Sequence, residues 1–419
     1  MFGLRREPGQ IAVRIANFLN SCLKDLEAKG NLGSAPKLYN PKMSAEHVVL
    51  FTLCPEDKKY AQDFGPWNIE IFPFVDLKTK GYSPQNLVKI LRAPFISYKK
   101  IKKARIDVIR GRLPYFASLV GCLAGRMSKT PTIVSLGGNN RLPQERSKTY
   151  HYGSKMISYT MEKWTLILCH VILAPNQYTK RYVASIIGKR RAEKKVRVIP
   201  WIIDREGSLE DSHENVPERL GLNLTLPFVL VIGFINPYKY SDIMFKVAEA
   251  LFSGGPQDLQ FVFCGDGPLR ETGEFLLQRY ENARFLGWQP YPVVQALIRK
   301  AAVVLVPMSG FVLLEAAAAG RPVVASNIEW HGELVEDGVS GFLVKPVSVD
   351  DWVRKIRLVL GNPELGRTMA ENLGKKFRSK YDPDILIDEE IELYRSLVQK
   401  KRKIKLPSSY PSKKSGILR

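Results

Sequence analysis

The chain has 419 residues, of which 45% are hydrophobic and 25% charged, and its formal net charge is +22. This length suits two domains of roughly 200 residues each better than a single core. No stretch approaches the roughly 18 to 20 apolar residues that cross a bilayer, and residues 1–10 lack the apolar core of a secretory signal. The excess positive charge indicates an acidic partner, which is nucleic acid, an anionic membrane surface or a phosphate-rich substrate.

The first predicted element is an amphipathic helix over residues 9–28, because apolar residues recur there at helical spacing. It is assigned to an N-terminal helical extension, 1–44. Residues 45–205 then alternate short apolar runs with helical patterns, which predicts a parallel sheet with helical crossovers. The predicted strands are 47–53, 68–74, 106–109, 131–136, 171–174 and 196–199.

A polar and acidic stretch, 206–226, is predicted to be a linker to a second α/β domain, 227–382. The strands predicted in that domain are 228–233, 259–264, 283–286, 303–307, 322–325 and 341–344, and helices are predicted at 240–252 and 350–360. Residues 383–403 predict a last helix that returns to the first domain, and residues 404–419 a disordered basic tail. Two doubly wound domains would face a central cleft at the carboxyl ends of their strands, where ligands bind.

The cysteines are odd in number and scattered, with no CxxC pair. They are Cys22, Cys54, Cys122, Cys169 and Cys264. This pattern predicts reduced, buried thiols in a cytoplasmic protein, with neither a disulfide nor a zinc site.

The segment VVLVPMSGFVLLEAAAAGRPVVAS, 303–326, predicts a buried strand, a short turn and a helix that begins at Phe311. The N–H groups of Gly310 to Val312 would bind phosphate at the positive end of that helix. Glu315 follows about one turn into the helix, where a carboxylate can accept hydrogen bonds from ribose hydroxyls.

Four further motifs accompany this segment in order: GFINPYKYSD (233–242), FCGDGPLR (263–270), ARFLGW (283–288) and ASNIEWHGELVEDGVSGFLVKP (325–346). Together the five resemble the phosphate loop, the G-x-G-P loop, the base-pocket strand, the donor helix and the closing segment of the glycosyltransferases of family 4, also called group 1. The first 165 residues match this family only loosely. The resemblance covers most of residues 226–380.

The resemblance implies a GT-B fold of two Rossmann-like domains and transfer of a sugar from a UDP- or GDP-sugar to a lipid-linked, glycan or other acceptor. It implies retention of configuration, and we expect no metal or other cofactor. The implied donor-binding residues are Gly233, Phe234, Lys239, Gly265, Gly267, Phe285, Leu286, Gly310, Phe311, Val312 and Glu315. Lys239, Ser309 and Gly310 are the catalytic candidates.

Two positions depart from the family's pattern. The family has two glutamates separated by seven residues; here Pro307 stands eight residues before Glu315, so Ser309 and Gly310 must take the role of the first glutamate. Phe234 occupies the place of a phosphate-binding arginine. A non-catalytic protein that keeps the fold as a scaffold is therefore an alternative.

The loop GGNNR after the fourth predicted strand of the first domain supplies the acceptor-side candidates Gly137, Gly138, Asn139 and Arg141. Arg141 is the candidate for an anionic acceptor, and a plain glycine loop is the alternative.

Residues 95–106 interleave apolar residues with Lys99, Lys100, Lys102 and Lys103. This predicts a contact with an anionic membrane surface by a protein that is cytoplasmic and peripheral at the membrane, and a solvated helix face is the alternative. The net charge alone would also suit a nucleic-acid-binding protein, for which no recognised module is present.

Two acidic clusters superficially suggest metal sites. His331 stands between Glu329 and Glu333, and Asp382 and Asp384 flank a proline. We predict instead a histidine at a helix start and an aspartate that caps a helix, and no metal site.

Overall fold

The computed structural model describes residues 13–20, 22–24, 45–62, 68–75, 84–142, 152–201, 215–254, 258–308 and 310–405. They form two sheets with flanking helices, which confirms the predicted α/β class. The chain divides into two compact units. The first comprises residues 1–135, 161–172 and 388–419, and the second comprises residues 136–160 and 173–387.

The first sheet has seven strands in the order β3-β2-β1-β4-β5-β6-β7. Their bounds are β1 Val13–Phe18, β2 Ala45–Thr52, β3 Ile69–Pro73, β4 Val108–Arg112, β5 Thr132–Ser135, β6 Val171–Ala174 and β7 Val196–Val198. The six strands predicted for this region are confirmed to within a few residues, and β1 is additional.

The helix predicted over 9–28 is wrong for residues 13–18, because Val13–Phe18 forms the strand β1. This strand pairs in parallel with both β2 and β4. An inner parallel strand is buried on both faces, so its apolar residues need not alternate, and a short apolar run does not distinguish a strand from a helix. The boundary drawn at residue 45 is therefore also wrong, since β1 belongs to the first sheet.

Among the described residues, five helices lie between β3 and β7 in the chain and connect the strands of the first sheet. They are α1 Pro84–Lys103, α2 Phe116–Ser128, α3 Tyr152–Leu168, α4 Gln177–Ile187 and α5 Lys189–Lys195. A 3-10 helix, Pro55–Gln62, follows β2. The core beneath α1 and α2 is aromatic: the rings of Phe18 and Phe51 stack with centroids 4.2 Å apart.

The second sheet has six strands in the order β10-β9-β8-β11-β12-β13. Their bounds are β8 Phe228–Ile232, β9 Gln260–Cys264, β10 Ala283–Phe285, β11 Val303–Val306, β12 Val323–Ser326 and β13 Phe342–Val344. All six predicted strands are confirmed. The continuous apolar runs were a clear signal because both faces of this sheet are buried, each under its own core cluster.

The remaining helices belong to the second half of the chain. They are α6 Val216–Arg219, α7 Ser241–Ser253, α8 Arg270–Leu277, α9 Tyr291–Lys300, α10 Val312–Ala318, α11 His331–Leu334, α12 Val349–Gly361, α13 Pro363–Lys380 and α14 Pro383–Lys405. None of the described helices combines the length and the hydropathy that a bilayer span requires.

The predicted linker, 206–226, is too long. Val216 and Leu222 are buried, and Leu222 packs into the core on one face of the second sheet. Because these two side chains are buried, the end of the predicted linker belongs to the second unit. The polar composition of the segment had indicated a linker throughout. Residues 202–214 lie outside the described residues.

The last helix begins at Pro383, as the aspartate–proline pair predicts. The Oδ1 atom of Asp382 accepts a hydrogen bond from the backbone N–H of Asp384 at 3.0 Å, which confirms the capping role. From residue 388 onward the helix belongs to the first unit, where Glu390 forms an ion pair with Arg110 at 2.7 Å. Most of the predicted tail, 406–419, lies outside the described residues.

The prediction of reduced thiols is wrong for one pair of cysteines. Cys22 and Cys54 form a disulfide, whereas Cys122, Cys169 and Cys264 are buried thiols. The pair stands just beyond the ends of β1 and β2, which are neighbouring strands, and the mistaken helix over 9–28 concealed that proximity. The cysteine argument for a cytoplasmic location therefore no longer holds.

Candidate functional site

Two glycine-containing loops lie side by side at the carboxyl ends of β8 and β9. The backbone N–H of Gly233 donates to the carbonyl of Cys264 at 3.0 Å, and that of Ile235 donates to Asp266 at 2.9 Å. Gly265 has φ +149°, and a Cβ atom there would lie 1.9 Å from the Gly233 carbonyl oxygen. Only glycine permits this approach.

Gly267 is constrained in the same way, since a Cβ atom would lie 2.4 Å from the carbonyl oxygen of Ile235. Arg270 stands where a dinucleotide fold would have a third glycine, and it pairs with Asp266 at 3.2 Å and Glu274 at 2.8 Å. The close approach of the two loops therefore explains why glycine stands at positions 265 and 267. The contact of these glycines with a donor stays a prediction.

A pocket opens where the strand order of the second sheet reverses, between the ends of β8 and β11. Its lining includes Gly233, Phe234, Lys239, Pro307, Met308 and Val312. The carboxyl ends of strands at such a reversal are the usual ligand position in open α/β sheets. The structure thus brings together donor candidates that are more than 70 residues apart in the chain.

Lys239 ends a 3-10 turn, Pro237–Lys239, whose N-cap is Asn236. The side-chain oxygen of Asn236 accepts a hydrogen bond from the backbone N–H of Lys239 at 2.8 Å, which fixes the turn. The ammonium lies 3.8 Å from where a side chain on Gly310 would begin. Burial lowers the pKa of Lys239, and the charge of Glu329 partly opposes this. A cation in this state gains stabilisation when an anion binds.

Glu315 lies on α10, half-buried, and its carboxylate has no hydrogen-bond partner among the described residues. Burial raises the pKa of Glu315 to about 7. Such a carboxylate is costly to the folded protein unless a ligand supplies hydrogen-bond donors. Ser309, the neighbouring candidate, lies outside the described residues.

His331 begins α11, which confirms the prediction of a helix-start histidine. It is fully buried, and its Nδ1–H donates to the carbonyl of Ser326 at 2.7 Å. Burial, and then the charge of Lys239, lower the pKa of His331 to about 4. The neutral ring therefore supports the pocket wall, where Ser326 Oγ also donates to the carbonyl of Pro307 at 2.8 Å.

Glu333 binds the start of α4 and not His331. Its carboxylate oxygens accept hydrogen bonds from the backbone N–H groups of Gln177 at 2.9 Å and Tyr178 at 2.5 Å. This is the ordinary stabilisation of a helix N-terminus by an acid.

Four of the other donor candidates have evident packing roles. Phe285 stacks on Phe263 with centroids 4.6 Å apart in one core, and Leu286 packs against the other. Val312 begins α10, and the preceding Phe311 is half exposed and contacts Trp201, with ring centroids 5.1 Å apart. Their contact with a donor stays a prediction.

Sequence reasoning missed two aromatic residues near the pocket. Trp288 is 63% exposed and lies beside Phe234, with ring centroids 6.4 Å apart and planes 27° from parallel. Trp201 contacts both Phe311 and the buried Trp330. Trp288 ends the motif ARFLGW, and its position three residues beyond the end of β10 was the signal that could have identified it.

Arg141 contacts two residues of its own unit, Tyr159 and Asn139. Its guanidinium lies 4.4 Å from the centroid of the Tyr159 ring, and its backbone N–H donates to the side chain of Asn139 at 3.0 Å. Gly138 has φ +150°, which explains the glycine. The acceptor-side role of this loop, including Gly137, stays a prediction.

The membrane contact predicted over 95–106 is wrong for two of its apolar residues and stays a prediction for the others. Ile101 and Ile106 are buried in the core of the first unit, and Lys100 forms an ion pair with Glu70. Helical periodicity alone does not show which face of α1 meets the sheet. Lys99, Lys102 and Lys103 remain exposed.

Both halves of the chain match glycosyltransferase families. Residues 212–376 match the family described as glycosyl transferases group 1, and residues 45–206 match glycosyltransferase family 4. An α-D-kanosaminyltransferase from Streptomyces kanamyceticus is 28% identical over 200 residues, which are 46% of this chain and 51% of that protein, so the match spans about half of the relative's length. An uncharacterized glycosyltransferase from Methanocaldococcus jannaschii is 25% identical over 298 residues, 70% of this chain and 76% of the relative.

Solved structures show the same fold. HepE from Anabaena aligns with a TM-score of 0.68 and 18% identity, covering 92% of this chain and 100% of HepE. A glycosyltransferase from Rickettsia africae aligns with a TM-score of 0.69 and 14% identity, covering 93% and 99%. With family matches in both halves and the fold of the solved structures, the chain belongs to the group 1 glycosyltransferases and has the GT-B fold.

Proposed function

We propose that the protein transfers a sugar from a UDP- or GDP-sugar to a lipid-linked, glycan or other acceptor, with retention of configuration and without a metal ion. The observation that carries this proposal is the pocket at the reversal between β8 and β11, with the desolvated cation Lys239 beside it. UDP as the nucleotide is supported by HepE, whose structure was solved in complex with UDP.

In the proposed reaction, the bond between the sugar C1 and the diphosphate oxygen breaks and its electron pair goes to the diphosphate. Lys239 stabilises the charge that develops there, because a preorganised cation in a desolvated site needs little rearrangement. The acceptor oxygen forms the new bond on the same face of the sugar, and its proton goes to the leaving phosphate. Glu315 holds the nucleotide by accepting hydrogen bonds from the ribose hydroxyls.

Phe234 takes the place of an arginine of the family's phosphate loop, so Lys239 carries a larger share of the phosphate binding in this proposal. The exposed rings of Phe234 and Trp288 would contact the apolar face of the donor's base or sugar. Aromatic rings stack on both kinds of surface without requiring a charge.

The proposed activity is tested by incubating the protein with UDP- and GDP-sugars and following nucleotide release and the anomeric product by NMR. We expect slow release of nucleoside diphosphate from one donor class, faster when an acceptor is present, with the α or β configuration of the donor kept in the product. If none of the donors releases nucleoside diphosphate although the protein binds nucleotide, the result would instead support the scaffold alternative.

We also propose that one face of α1 binds an anionic membrane surface. Its exposed apolar side chains are Leu87, Val88, Leu91, Phe95 and Ile96. The helix also carries Lys89, Arg92, Lys99, Lys100, Lys102 and Lys103 and no acidic residue. A helix with an exposed apolar face flanked only by cations matches the chemistry of an anionic lipid interface.

Wild-type protein should sediment with vesicles that contain anionic lipid, ignore neutral vesicles, and be released by salt. The double variant Leu91→Ser, Phe95→Ser should bind at least about tenfold more weakly, because two apolar side chains lose their burial in lipid. Phe275→Ser is the matched control, since that ring is 70% exposed on α8 in the second unit.

Reversing Lys99, Lys102 and Lys103 to glutamate should also reduce vesicle binding, while nucleotide affinity stays unchanged. Lys100 is left intact because it pairs with Glu70. Sedimentation of the apolar double variant at the level of the Phe275→Ser control would show that α1 is not the contact. A wild-type protein that never sediments would contradict the proposal outright.

A further inference from the structure

Each sheet has one point where the strand order reverses. In the second sheet it lies between β8 and β11, where the candidate donor pocket opens. In the first sheet it lies between β1 (Val13–Phe18) and β4 (Val108–Arg112). The carboxyl ends of β1 and β4 are therefore the corresponding ligand position of the first unit.

A rigid turn stands at this position. The side-chain amide of Asn20 donates to the carbonyl of Arg112 at 2.5 Å, and its oxygen accepts from the backbone N–H of Ala117 at 2.9 Å. The backbone N–H of Leu113 donates to the carbonyl of Ser135 at 2.8 Å. Residues at the ends of three strands, β1, β4 and β5, thus fix the backbone around Arg112.

Leu113 has φ +62°, in the left-handed region that a branched, non-glycine residue rarely adopts. Strained residues of this kind are found preferentially at binding and catalytic sites, where the surrounding structure maintains them. We interpret the strain at Leu113 as part of a turn that fixes the position of the neighbouring side chain, Arg112.

The side chain of Arg112 is exposed and has no hydrogen bond or ion pair within the part of the chain that the structure describes. Arg110, two residues earlier and on the same face of β4, is neutralised by Glu390 at 2.7 Å and also donates to the hydroxyl of Tyr394 at 3.1 Å. Glu390 thus neutralises Arg110 alone, and the charge of Arg112 has no acidic partner among the described residues.

The surroundings of Arg112 favour an anion. The surrounding protein partly desolvates the Arg112 guanidinium, and this desolvation, followed by the charge of Arg110, lowers the pKa of Arg112 although its side chain stays accessible to solvent. Asn17 stands opposite Arg110 in the register of β1 and β4 and is buried. Neither polar atom of its side chain has a hydrogen-bond partner among the described residues. This face of the sheet therefore has unused hydrogen-bonding capacity as well as an unneutralised charge.

We propose that the carboxyl ends of β1 and β4 form an oxyanion site in which Arg112 binds a phosphate or carboxylate group of the sugar acceptor. A guanidinium donates two parallel N–H bonds to two oxygens of such a group. The term acceptor rests on the proposed function, whereas the oxyanion site does not. This proposal assigns an anion contact to Arg112 in addition to the contact predicted for Arg141, whose guanidinium lies over the Tyr159 ring.

The test uses the full chain carrying Lys239→Ala, so that phosphate binding at the donor pocket is suppressed. Inorganic phosphate is titrated at constant ionic strength against chloride, and the Tm gives an apparent Kd, since a ligand that binds the folded state raises Tm. We expect Arg112→Gln to raise this Kd about tenfold or more, which is the usual effect of losing a charge-assisted hydrogen bond. The Kd of Arg112→Lys should fall between those of the parent and of Arg112→Gln. The variant Arg219→Gln, at an exposed arginine of the second unit, should have the Kd of the parent.

Two organic phosphates, glycerol 3-phosphate and monomeric dihexanoyl phosphatidic acid, distinguish whether the phosphate group bound by Arg112 belongs to a soluble molecule or to a lipid. Similar Arg112-dependent affinities indicate a soluble phosphate, and a preference for phosphatidic acid indicates a lipid headgroup. Acetate in place of phosphate tests a carboxylate.

An equal apparent Kd for phosphate in the parent and in Arg112→Gln would overturn the proposed site. So would an absence of phosphate stabilisation beyond that of chloride in the parent. Failure of the proposed function has a different signature, since it would appear as wild-type protein that binds no nucleotide, whatever the phosphate titration gives.

Discussion

Replacing Glu315 with glutamine should stabilise the folded protein at pH 8 and weaken nucleotide binding at the same time. Burial raises the pKa of Glu315 from its ordinary value of 4.5 to about 7, so the folded state holds the proton more tightly than the unfolded state. The stability associated with that proton is present below about pH 4.5 and is lost as the pH rises to 7. Glutamine fills the same volume and avoids the charge.

We expect Glu315→Gln to raise the free energy of unfolding at pH 8 by up to about 3 kcal/mol, and the gain to disappear near pH 4.5. Calorimetric unfolding at the two pH values measures this difference. The exposed Glu281→Gln on the same unit is the control and should show little pH-dependent gain.

The same variant should bind nucleoside diphosphate about 10- to 100-fold more weakly, because the ribose hydroxyls lose a charged acceptor. Wild-type affinity should rise as the pH increases through 7, since the bound ribose needs the carboxylate form. Destabilisation at pH 8, or unchanged nucleotide affinity, would remove Glu315 from the ribose site.

Replacing Lys239 with alanine should lower the rate of sugar transfer by about 10²-fold or more, as expected when a preorganised cation at the leaving group is lost. The structure fixes this lysine on the turn capped by Asn236 and beside Gly310. Because Phe234 replaces the second phosphate cation of the family, no neighbouring arginine takes over in our account.

The measurement is the turnover number with saturating donor, together with the affinities for nucleoside and nucleoside diphosphate. Of the two affinities, Lys239→Ala should lower only that for nucleoside diphosphate. Lys246 is an exposed lysine on α7, and Lys246→Ala should leave the turnover number and both affinities unchanged. A rate for Lys239→Ala within a few-fold of wild type would mean that this side chain does not serve the leaving group.

The sequence predicted the second unit well because its strands are buried on both faces. Runs such as FVLVI in β8 and VVLV in β11 contain no polar residue, and that composition identifies an inner parallel strand. The strand β1, VRIANF, contains Arg14 and Asn17, so its composition resembles one turn of an amphipathic helix. Its position between β2 and β4 depends on long-range pairing that no local pattern encodes.

The candidate site was predictable where a motif fixes a backbone position. Lys239 and Gly233 were identified in this way and both line the pocket. Side chains that reach the site from elsewhere were not predictable, because their direction depends on packing. Trp201 precedes residues outside the described part of the chain and contacts Phe311, 110 residues later.

The same limit explains the error on α1. Periodicity placed apolar and basic residues on one helix, but it did not determine that Ala93, Ser97 and Ile101 face the core. Once that face is known, Leu91 and Phe95 are on the opposite side, and the proposed membrane surface moves toward the start of the helix.

The central claim is that the second unit binds a nucleoside diphosphate and its sugar. Its most direct test is calorimetric titration of the wild-type protein with UDP, GDP and ADP, in parallel with a short DNA duplex. We expect saturable one-to-one binding of UDP or GDP, lost in the double variant Lys239→Ala, Glu315→Gln, and no saturable binding of DNA at moderate salt. Salt-sensitive DNA binding with no nucleotide binding would contradict it.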